Sequence, residues 1–590
     1  MKKVLALILA AMMTLGAITL AVAEEEQVVS VFYGGGTPQF MDPALNSASA
    51  GSNIIRMGFS GLYRYGVENG EKKLLPDLAE GYTLSEDGLV YTFTLKEGLK
   101  WSDGTDLVAS QIASSWNRAG SADLGADYGF LFSYIAQNED GTLNVVADDA
   151  ARTLVVTLAA PTAYFIDLVA FVPFYPVKVE LADNEGIWAT KPETAIGAGP
   201  FRMTKYAVDD VIAYEKNEYY WDAANVKLTG INCLLSEDNV AMLTAYENDS
   251  AVYINSSIDP VEYDRINATY PGELQFDVLL GTYYILFNVH KDVSPAGKQL
   301  TVQEQSKARF ALGQMINRED LVNYVTMGGQ VPANGFYPPT LSDAYNTALR
   351  GAEGYGTWYT GTATPSAVNE NYTEDMAAAL QTLIDLGYAY TGSIEGGDIK
   401  FTDFPSIEFS FNNSGANAAI IQYVQETWNS VGITGVVNTE AWATLQEKLK
   451  KGDAEAARMG WVADFNDCVN FLEIFISASG NNYPRLGRDI GEYTRNSEVT
   501  KDAGLGAYWG PNGDQTWADA YDKLVDEIKV ETDPATRAAK CAEAEKILMA
   551  TGAVAPLYYY TLPNLLKPYI KGVSSFSGGD VIWTYAYIEK

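Results

Sequence analysis

The most informative stretch of this sequence is Arg458-Met459-Gly460-Trp461-Val462-Ala463-Asp464-Phe465-Asn466-Asp467. It places a carboxylate, Asp464, three residues after Trp461 in a segment that is otherwise apolar enough to be buried. A buried carboxylate is costly unless a cation meets it. No Lys or Arg follows closely in the sequence, so a ligand ammonium group is a candidate partner. The alternative is a core tryptophan beside a structural aspartate that pairs with a distant arginine.

The composition excludes several classes of function. The chain has 590 residues and a formal net charge of −35, which argues against nucleic acid or an anionic membrane as a partner. Three cysteines and a single histidine, His290, nearly exclude a zinc site of the usual kind, and we expect no cofactor. At most one disulfide is possible, so packing must supply the stability. The 38 tyrosines suit a cavity that is both apolar and hydrogen-bonding, although they equally suit a core.

Residues 1–23 have the pattern of a secretory signal peptide. Lys2 and Lys3 precede an apolar run that ends in small residues before Glu24. No cysteine stands at the cleavage site, so we expect a secreted or periplasmic protein without a lipid anchor. No later segment has the roughly 18 apolar residues that a membrane-spanning helix requires, so we expect no membrane insertion after cleavage.

Strand and helix patterns alternate in uneven blocks, which predicts a multi-domain α/β architecture. Apolar and polar residues alternate over Leu89–Leu95, which predicts a strand after the turn Glu86-Asp87-Gly88. A helix is expected at Thr373–Leu386. A second helix is expected over Ala308–Thr326 from its apolar spacing. Two segments, 350–370 and 481–515, have the composition of long added loops.

Several short motifs occur in a specific order over more than 400 residues. They resemble the signatures of the extracellular solute-binding proteins that serve ABC peptide importers, the oligopeptide, dipeptide and nickel class known as family 5. The Gly-Trp-Val-Ala-Asp segment is closest to the oligopeptide-binding members. The other motifs are Met41-Asp42-Pro43-Ala44, Pro76-Asp77-Leu78-Ala79-Glu80, Trp101-Ser102-Asp103-Gly104-Thr105, Gly199-Pro200-Phe201, Tyr220-Trp221, Phe287-Asn288 and Ala308-Arg309-Phe310-Ala311-Leu312 with Ile316-Asn317-Arg318-Glu319.

The resemblance implies a two-lobed periplasmic-binding-protein-like fold with a hinge and an additional subdomain in the first lobe. Lobe I is expected at 24–63, 187–284 and 561–590, its extra subdomain at 64–186, and lobe II at 285–560. Such a protein captures oligopeptides and delivers them to membrane permease subunits, and we expect it to be a monomer.

The resemblance also implies the site residues. Asp464 would receive the peptide α-ammonium, and Arg458 could meet the carboxylate of a short peptide. A peptide could add as a strand beside Gly460 and Val462, which flank Trp461. The aromatic candidates for the pocket are Trp442, Tyr128, Tyr283 and Tyr284, for each of which core packing is the alternative. Phe465 and Cys468 replace the tyrosine and proline common in the family, so the loop after Asp464 is expected to differ.

Three other functions stay open on the sequence. A nickel or metal-chelate carrier would share the fold, and a peptide sensor would signal without import. The third is a secreted hydrolase that uses the carboxylates of Asp464 and Asp467. No Gly-x-Ser-x-Gly motif is present and His290 is the only histidine, so we expect that the protein is not an enzyme.

Overall fold

The computed structural model describes residues 26–341 apart from 35, 237 and 256–257, together with 358–412, 416–487, 517–576 and 578–589. The expected signal peptide, 1–23, lies outside the described residues. So do residues 350–357 of the first expected loop and 488–515 of the second. No helix in the described ranges is both long and apolar enough to cross a membrane.

An eleven-stranded sheet forms the centre of the molecule. In spatial order its strands are Gly435–Glu440, Ile407–Asn412, Ala456–Val462, Leu274–Phe287, Val554–Leu566, Tyr253–Asn255, Val28–Phe32, Gly230–Leu234, Val211–Lys216 and Phe201–Ala207, with Val331–Pro332 paired to Val554–Leu566.

Two long antiparallel strands, Leu274–Phe287 and Val554–Leu566, join the two halves of this sheet. The first pairs with Ala456–Val462 only from Gly281 onward, and the second pairs with Tyr253–Asn255 only over its last three residues. Between these points the register of the two long strands shifts at 278–282. A two-stranded connection with an interrupted ladder is where we expect the halves to bend relative to each other.

A smaller domain packs beside the sheet; we call it the small domain. Its core is the four-stranded antiparallel sheet Ala79–Leu84, Val90–Leu95, Thr153–Thr157 and Val145–Asp148, covered by the helix Ala109–Ala119. In Val90–Leu95 every second residue is buried, as the alternating sequence predicted. The hairpin Tyr63–Glu68 with Glu71–Pro76 leads into this domain.

Other short strand pairs are Tyr390–Thr391 with Lys400–Phe401, Ile570–Lys571 with Tyr587–Ile588, and Ser574–Ser575 with Val581–Ile582. The remaining α-helices are Ser49–Gly58, Phe165–Val169, Asn239–Glu247, Tyr263–Thr269, Val302–Gln314, Arg318–Asp320, Glu374–Leu386, Asn417–Ser430, Trp442–Lys451, Cys468–Leu472, Lys523–Val530 and Pro534–Ala550, with π-helical turns at Leu321–Thr326 and Ala518–Asp522.

The helix at Glu374–Leu386 is as predicted, and the Thr373 hydroxyl caps it by accepting from the Met376 amide at 3.1 Å. The single helix expected over 308–326 is wrong. The observed helix Val302–Gln314 ends before this point, and a new helical turn begins after Asn317, whose side chain accepts a hydrogen bond from the Asp320 amide. The polar side chain of Asn317 offers the backbone a cap, so it starts a helix instead of continuing one.

One disulfide is present among the described residues, between Cys468 and Cys541, and Cys233 is a buried free thiol. The bond ties the helix that begins one residue after Asp467 to the helix Pro534–Ala550. The segment that carries Asp464 is thereby anchored at its far end to the body of the protein.

Candidate functional site

The strand Ala456–Val462 has one backbone edge that no strand in the described ranges covers beyond Ala457. On one side it pairs with Leu274–Phe287, and the bonds from Ala463 N to Leu280 O and from Asn288 N to Glu455 O fix which residues face that partner. Because antiparallel bonds alternate, the amides and carbonyls of Gly460 and Val462 point to the opposite side. There the strand Ile407–Asn412 reaches only as far as Ala456 and Ala457. The backbone of Gly460 and Val462 is therefore available to an extended ligand.

Gly460 is required by a close approach of two elements. A Cβ atom at this position would lie 2.0 Å from the hydroxyl oxygen of Tyr560, whose side chain reaches across from the strand Val554–Leu566, two strands away. Tyr560 itself packs edge-on against Tyr283 and Tyr558. Any side chain at residue 460 would push Tyr560 away from the strand edge, so glycine keeps this face of the site flat.

Asp464 lies just beyond the end of this strand, and its partners are neutral. The Tyr128 hydroxyl, from the small domain, donates to its Oδ1 at 2.8 Å. Its backbone amide donates to the Asn470 side chain, which also accepts from the Trp461 indole. No Lys or Arg lies within 4 Å of the carboxylate among the described residues. Burial raises the pKa of Asp464, and hydrogen bonds from Tyr128 and Asn470 lower it in part.

Asp467, three residues later, has the opposite environment. Both of its carboxylate oxygens accept from the Arg537 guanidinium at 2.7 Å, and both side chains are fully buried. Its Oδ1 also caps the helix Cys468–Leu472 by accepting from the Val469 amide. The structural aspartate paired with a distant arginine, considered as the alternative for Asp464, is therefore found at Asp467.

The loop between these aspartates is held against the small domain by an aromatic stack. The ring of Phe465 lies parallel to that of Tyr164, with centroids 4.9 Å apart. The Arg537 guanidinium lies 5.7 Å from the centroid of the same Tyr164 ring. The two residues that depart from the family pattern both have structural partners, since Phe465 makes this stack and Cys468 forms the disulfide.

Arg458 is a half-buried cation without a carboxylate partner in the described ranges. Its guanidinium donates to the Asn412 side-chain oxygen, with Nε at 3.0 Å. It also lies 5.4 Å from the Trp442 ring and 5.8 Å from the Tyr283 ring. Trp442 is 41% exposed, so the guanidinium and the indole ring that it contacts lie near the protein surface.

The remaining predicted aromatic residues differ in accessibility. Tyr128 is half-buried and packs edge-on against Phe171 at 5.1 Å. Tyr283 and Tyr284 are both buried, where Tyr283 donates to Asn417 and Tyr284 packs edge-on against Phe336. These two lie behind the strand edge, and their assignment as ligand residues stays a prediction.

A cavity of about 1010 Å³ is lined by the small domain, by the loop that carries Asp464, and by residues such as Ser49 and Asp580 from the other half of the molecule. Val462, Asp464 and Tyr128 line it, whereas Arg458 and Trp442 do not. Its other walls include residues that the sequence did not single out: Tyr65, Lys72, Asp167, Phe171, Asp277 and Phe576. These come from elements far apart in the chain, and no local pattern marks them. Within the described ranges, no three His, Cys, Asp or Glu side chains are grouped as a metal site.

Comparison with known proteins gives a consistent family. The family described as bacterial extracellular solute-binding proteins, family 5 Middle, matches residues 73–483. The oligopeptide-binding protein OppA of Bacillus subtilis is 28% identical over 563 residues, which cover 94% of this chain and 91% of that protein. The periplasmic murein peptide-binding protein MppA of Escherichia coli is 26% identical over 567 residues, covering 94% and 92%.

Among solved structures, the murein tripeptide-binding protein MppA in its unliganded open form is similar with a TM-score of 0.71 and 24% identity. The match covers 96% of this chain and 98% of that one. The predicted two-lobed α/β fold is confirmed by this likeness. The domain boundaries and the ligand residues stay predictions.

Proposed function

Because the chain belongs to the bacterial extracellular solute-binding proteins of family 5, we propose that it captures oligopeptides and delivers them to the permease of an ABC transporter. The observation that carries the proposal is the carboxylate of Asp464. It lines the cavity, accepts a hydrogen bond from a tyrosine hydroxyl at 2.8 Å and has no basic side chain within 4 Å in the described part of the chain. A peptide α-ammonium is the cation that completes this site.

The strand edge supplies recognition that is common to all peptides. The backbone groups of Gly460 and Val462 can pair with an extended main chain, which gives affinity without reading side chains. Arg458 lies six residues before Asp464, a distance of about 20 Å along a strand. It is held by Asn412 and pairs with no carboxylate among the residues that the structure describes, so it can meet the C-terminal carboxylate of a short peptide.

The proposal includes a non-enzymatic role. The carboxylate pair that a hydrolase would use is broken by Arg537, which occupies both oxygens of Asp467. Incubation with short peptides and chromogenic glycosides should give no turnover. Turnover that disappears on substitution of one carboxylate would overturn this part of the proposal.

We further propose that the mature protein begins after residue 23, is secreted or periplasmic, and acts as a monomer that contacts permease subunits. Mass spectrometry of the protein recovered from the cell envelope or medium would give the N-terminus. Light scattering of the same sample would give the oligomeric state.

The test of the function is to identify what the protein binds. The purified protein is denatured and any released ligand is sequenced by mass spectrometry, and the refolded protein is titrated with a peptide mixture by calorimetry. We expect co-purified peptides with free amino termini and measurable heats of binding. Recovery of only non-peptide solutes, with no heat from any peptide, would overturn the proposal.

A further inference from the structure

A second carboxylate in the cavity wall repeats the arrangement at Asp464. Asp167, on the helix Phe165–Val169, accepts a hydrogen bond from the Tyr65 hydroxyl at 3.2 Å. No Lys, Arg or His lies within 4 Å of it among the described residues, and it lines the same cavity as Asp464. The cavity therefore contains two carboxylates that are each held by a tyrosine hydroxyl and have no basic side chain within 4 Å in the described part of the chain.

One aromatic residue, Tyr65, contacts this second carboxylate, and a second ring packs on Tyr65. The Tyr65 ring packs against Phe576 with centroids 5.5 Å apart, and both rings line the cavity. The protein's own Lys72, which is exposed, has its Nζ 5.7 Å from the centroid of the Phe576 ring, so an ammonium group can approach this ring. A carboxylate close to aromatic side chains that line a cavity favours a cation over a neutral group of similar size.

The other carboxylates of this wall are different. Asp580 forms an ion pair with Arg56 at 2.8 Å. Asp277 accepts a hydrogen bond from the Asn564 side-chain amide at 2.8 Å, and the positive charge of Lys72 lowers its pKa. Glu71 is exposed at the rim. Asp167 alone in this group combines a tyrosine hydroxyl, an aromatic wall and no cation.

We propose that Asp167, Tyr65 and Phe576 form a second cation site that selects peptides carrying a lysine or arginine side chain. The inference rests on the proposed function and gives it a substrate preference. Asp464 would bind the amino terminus that every peptide has, and Asp167 would bind a side-chain cation that only some peptides have.

The charge of Asp167 depends on pH. Burial, and then the negative charge of Asp467, raises the pKa of Asp167 to about 7, whereas the Tyr65 hydroxyl and Arg537 lower it. The charged neighbours form neutral pairs, Asp467 with Arg537 and Asp580 with Arg56. The ionised fraction of Asp167 therefore increases as the pH rises through about 7. The preference for a cationic side chain should be larger at pH 8.

The test compares lysine with norleucine, which has a similar shape and no charge. Host peptides of three to five alanines carry either residue at each position in turn, and binding to the full mature chain is measured by calorimetry at pH 8. At one position or more, we expect lysine to bind on the order of tenfold more tightly than norleucine. In Asp167→Asn, which keeps an acceptor for Tyr65, the ratio should fall to about 1, and in the wild type it should fall at pH 6.

Glu71→Gln is the matched control, because it removes a charge from the rim of the same cavity. It should leave the ratio at its wild-type value. A lysine preference that survives in Asp167→Asn, or no preference at any position although the alanine hosts bind, would overturn the second site and leave the proposed function standing. If the wild-type protein binds neither the alanine peptides nor those that carry lysine or norleucine, the proposed function fails and this inference fails with it. Melting curves of each variant confirm that the fold is intact.

Discussion

Asp464 and Asp467 lie three residues apart in one loop, yet their surroundings differ in almost every respect. Asp467 is fully buried and bonded through both oxygens to Arg537, whereas Asp464 faces a cavity and is bonded to the hydroxyl of Tyr128. Desolvation is compensated within the protein at Asp467, whereas at Asp464 we propose that a ligand compensates it. The two aspartates differ in burial and in partner: Asp467 has its cation within the protein, whereas Asp464 faces a cavity with only neutral partners among the described residues.

The largest effect on stability should come from Arg537→Met. It leaves the Asp467 carboxylate buried and unpaired, which costs roughly 3–5 kcal/mol of unfolding free energy. Urea denaturation should show this loss, and the double variant Asp467→Asn/Arg537→Met should recover part of it. Asp464→Asn should leave the urea midpoint nearly unchanged. A midpoint that moves equally for both aspartate sites would erase the distinction between them.

The largest effect on affinity should come from Asp464→Asn. Removing the carboxylate leaves a peptide ammonium without a partner, a loss of roughly 3–5 kcal/mol or on the order of a hundred- to a few thousand-fold in affinity. Acetylating the peptide amine should cause a similar loss in the wild type and little further loss in the variant, because both changes delete one interaction. Calorimetry provides all four affinities. Equal wild-type binding of free and acetylated peptides would remove Asp464 from the site.

The pH dependence should follow the raised pKa of Asp464. An ammonium ligand requires the ionised carboxylate, and burial raises the pKa of Asp464 above that of an ordinary aspartate. As the pH is lowered from 7, affinity should therefore begin to fall at a higher pH than an ordinary carboxyl group would cause. The same titration on Asp464→Asn should be flatter. A wild-type affinity that stays constant down to pH 4 would contradict this assignment.

The smallest effect should come from Tyr128→Phe. The ring and its packing on Phe171 are kept, and only the hydroxyl that orients Asp464 is lost. A hydrogen bond to a charged group contributes about 1.5–3 kcal/mol, so affinity for free-amine peptides should fall by roughly ten- to a hundred-fold at most. Acetylated peptides serve as the control and should bind both proteins alike. Tighter binding of free-amine peptides by the variant would mean that the hydroxyl competes with the ligand.

Much of the fold follows from local pattern, as in the alternating strand Val90–Leu95 and the helix capped by Thr373. The break at Asn317 was missed because an apolar spacing of helical period hides a side chain that caps a new turn. Asp464 was found because its sequence lacks a local cation, but its partner Tyr128 is 336 residues away. Asp167 was missed because a lone acid on a short helix has no signal until the chain places it in the cavity wall.

The long strand Val554–Leu566 also bears on the order in which the chain can fold. It pairs with Tyr253–Asn255, and the segment after it bonds to the beginning of the chain, since Ile588 N donates to Gln27 across 561 positions. Asn53 makes two more such bonds, to Gly579 and Val581. The sheet half that contains Val28–Phe32 and Tyr253–Asn255 therefore cannot be completed until residues 564–588 have been synthesised. A chain that stops before Asn564 would leave the edge of Tyr253–Asn255 unpaired and prone to aggregation.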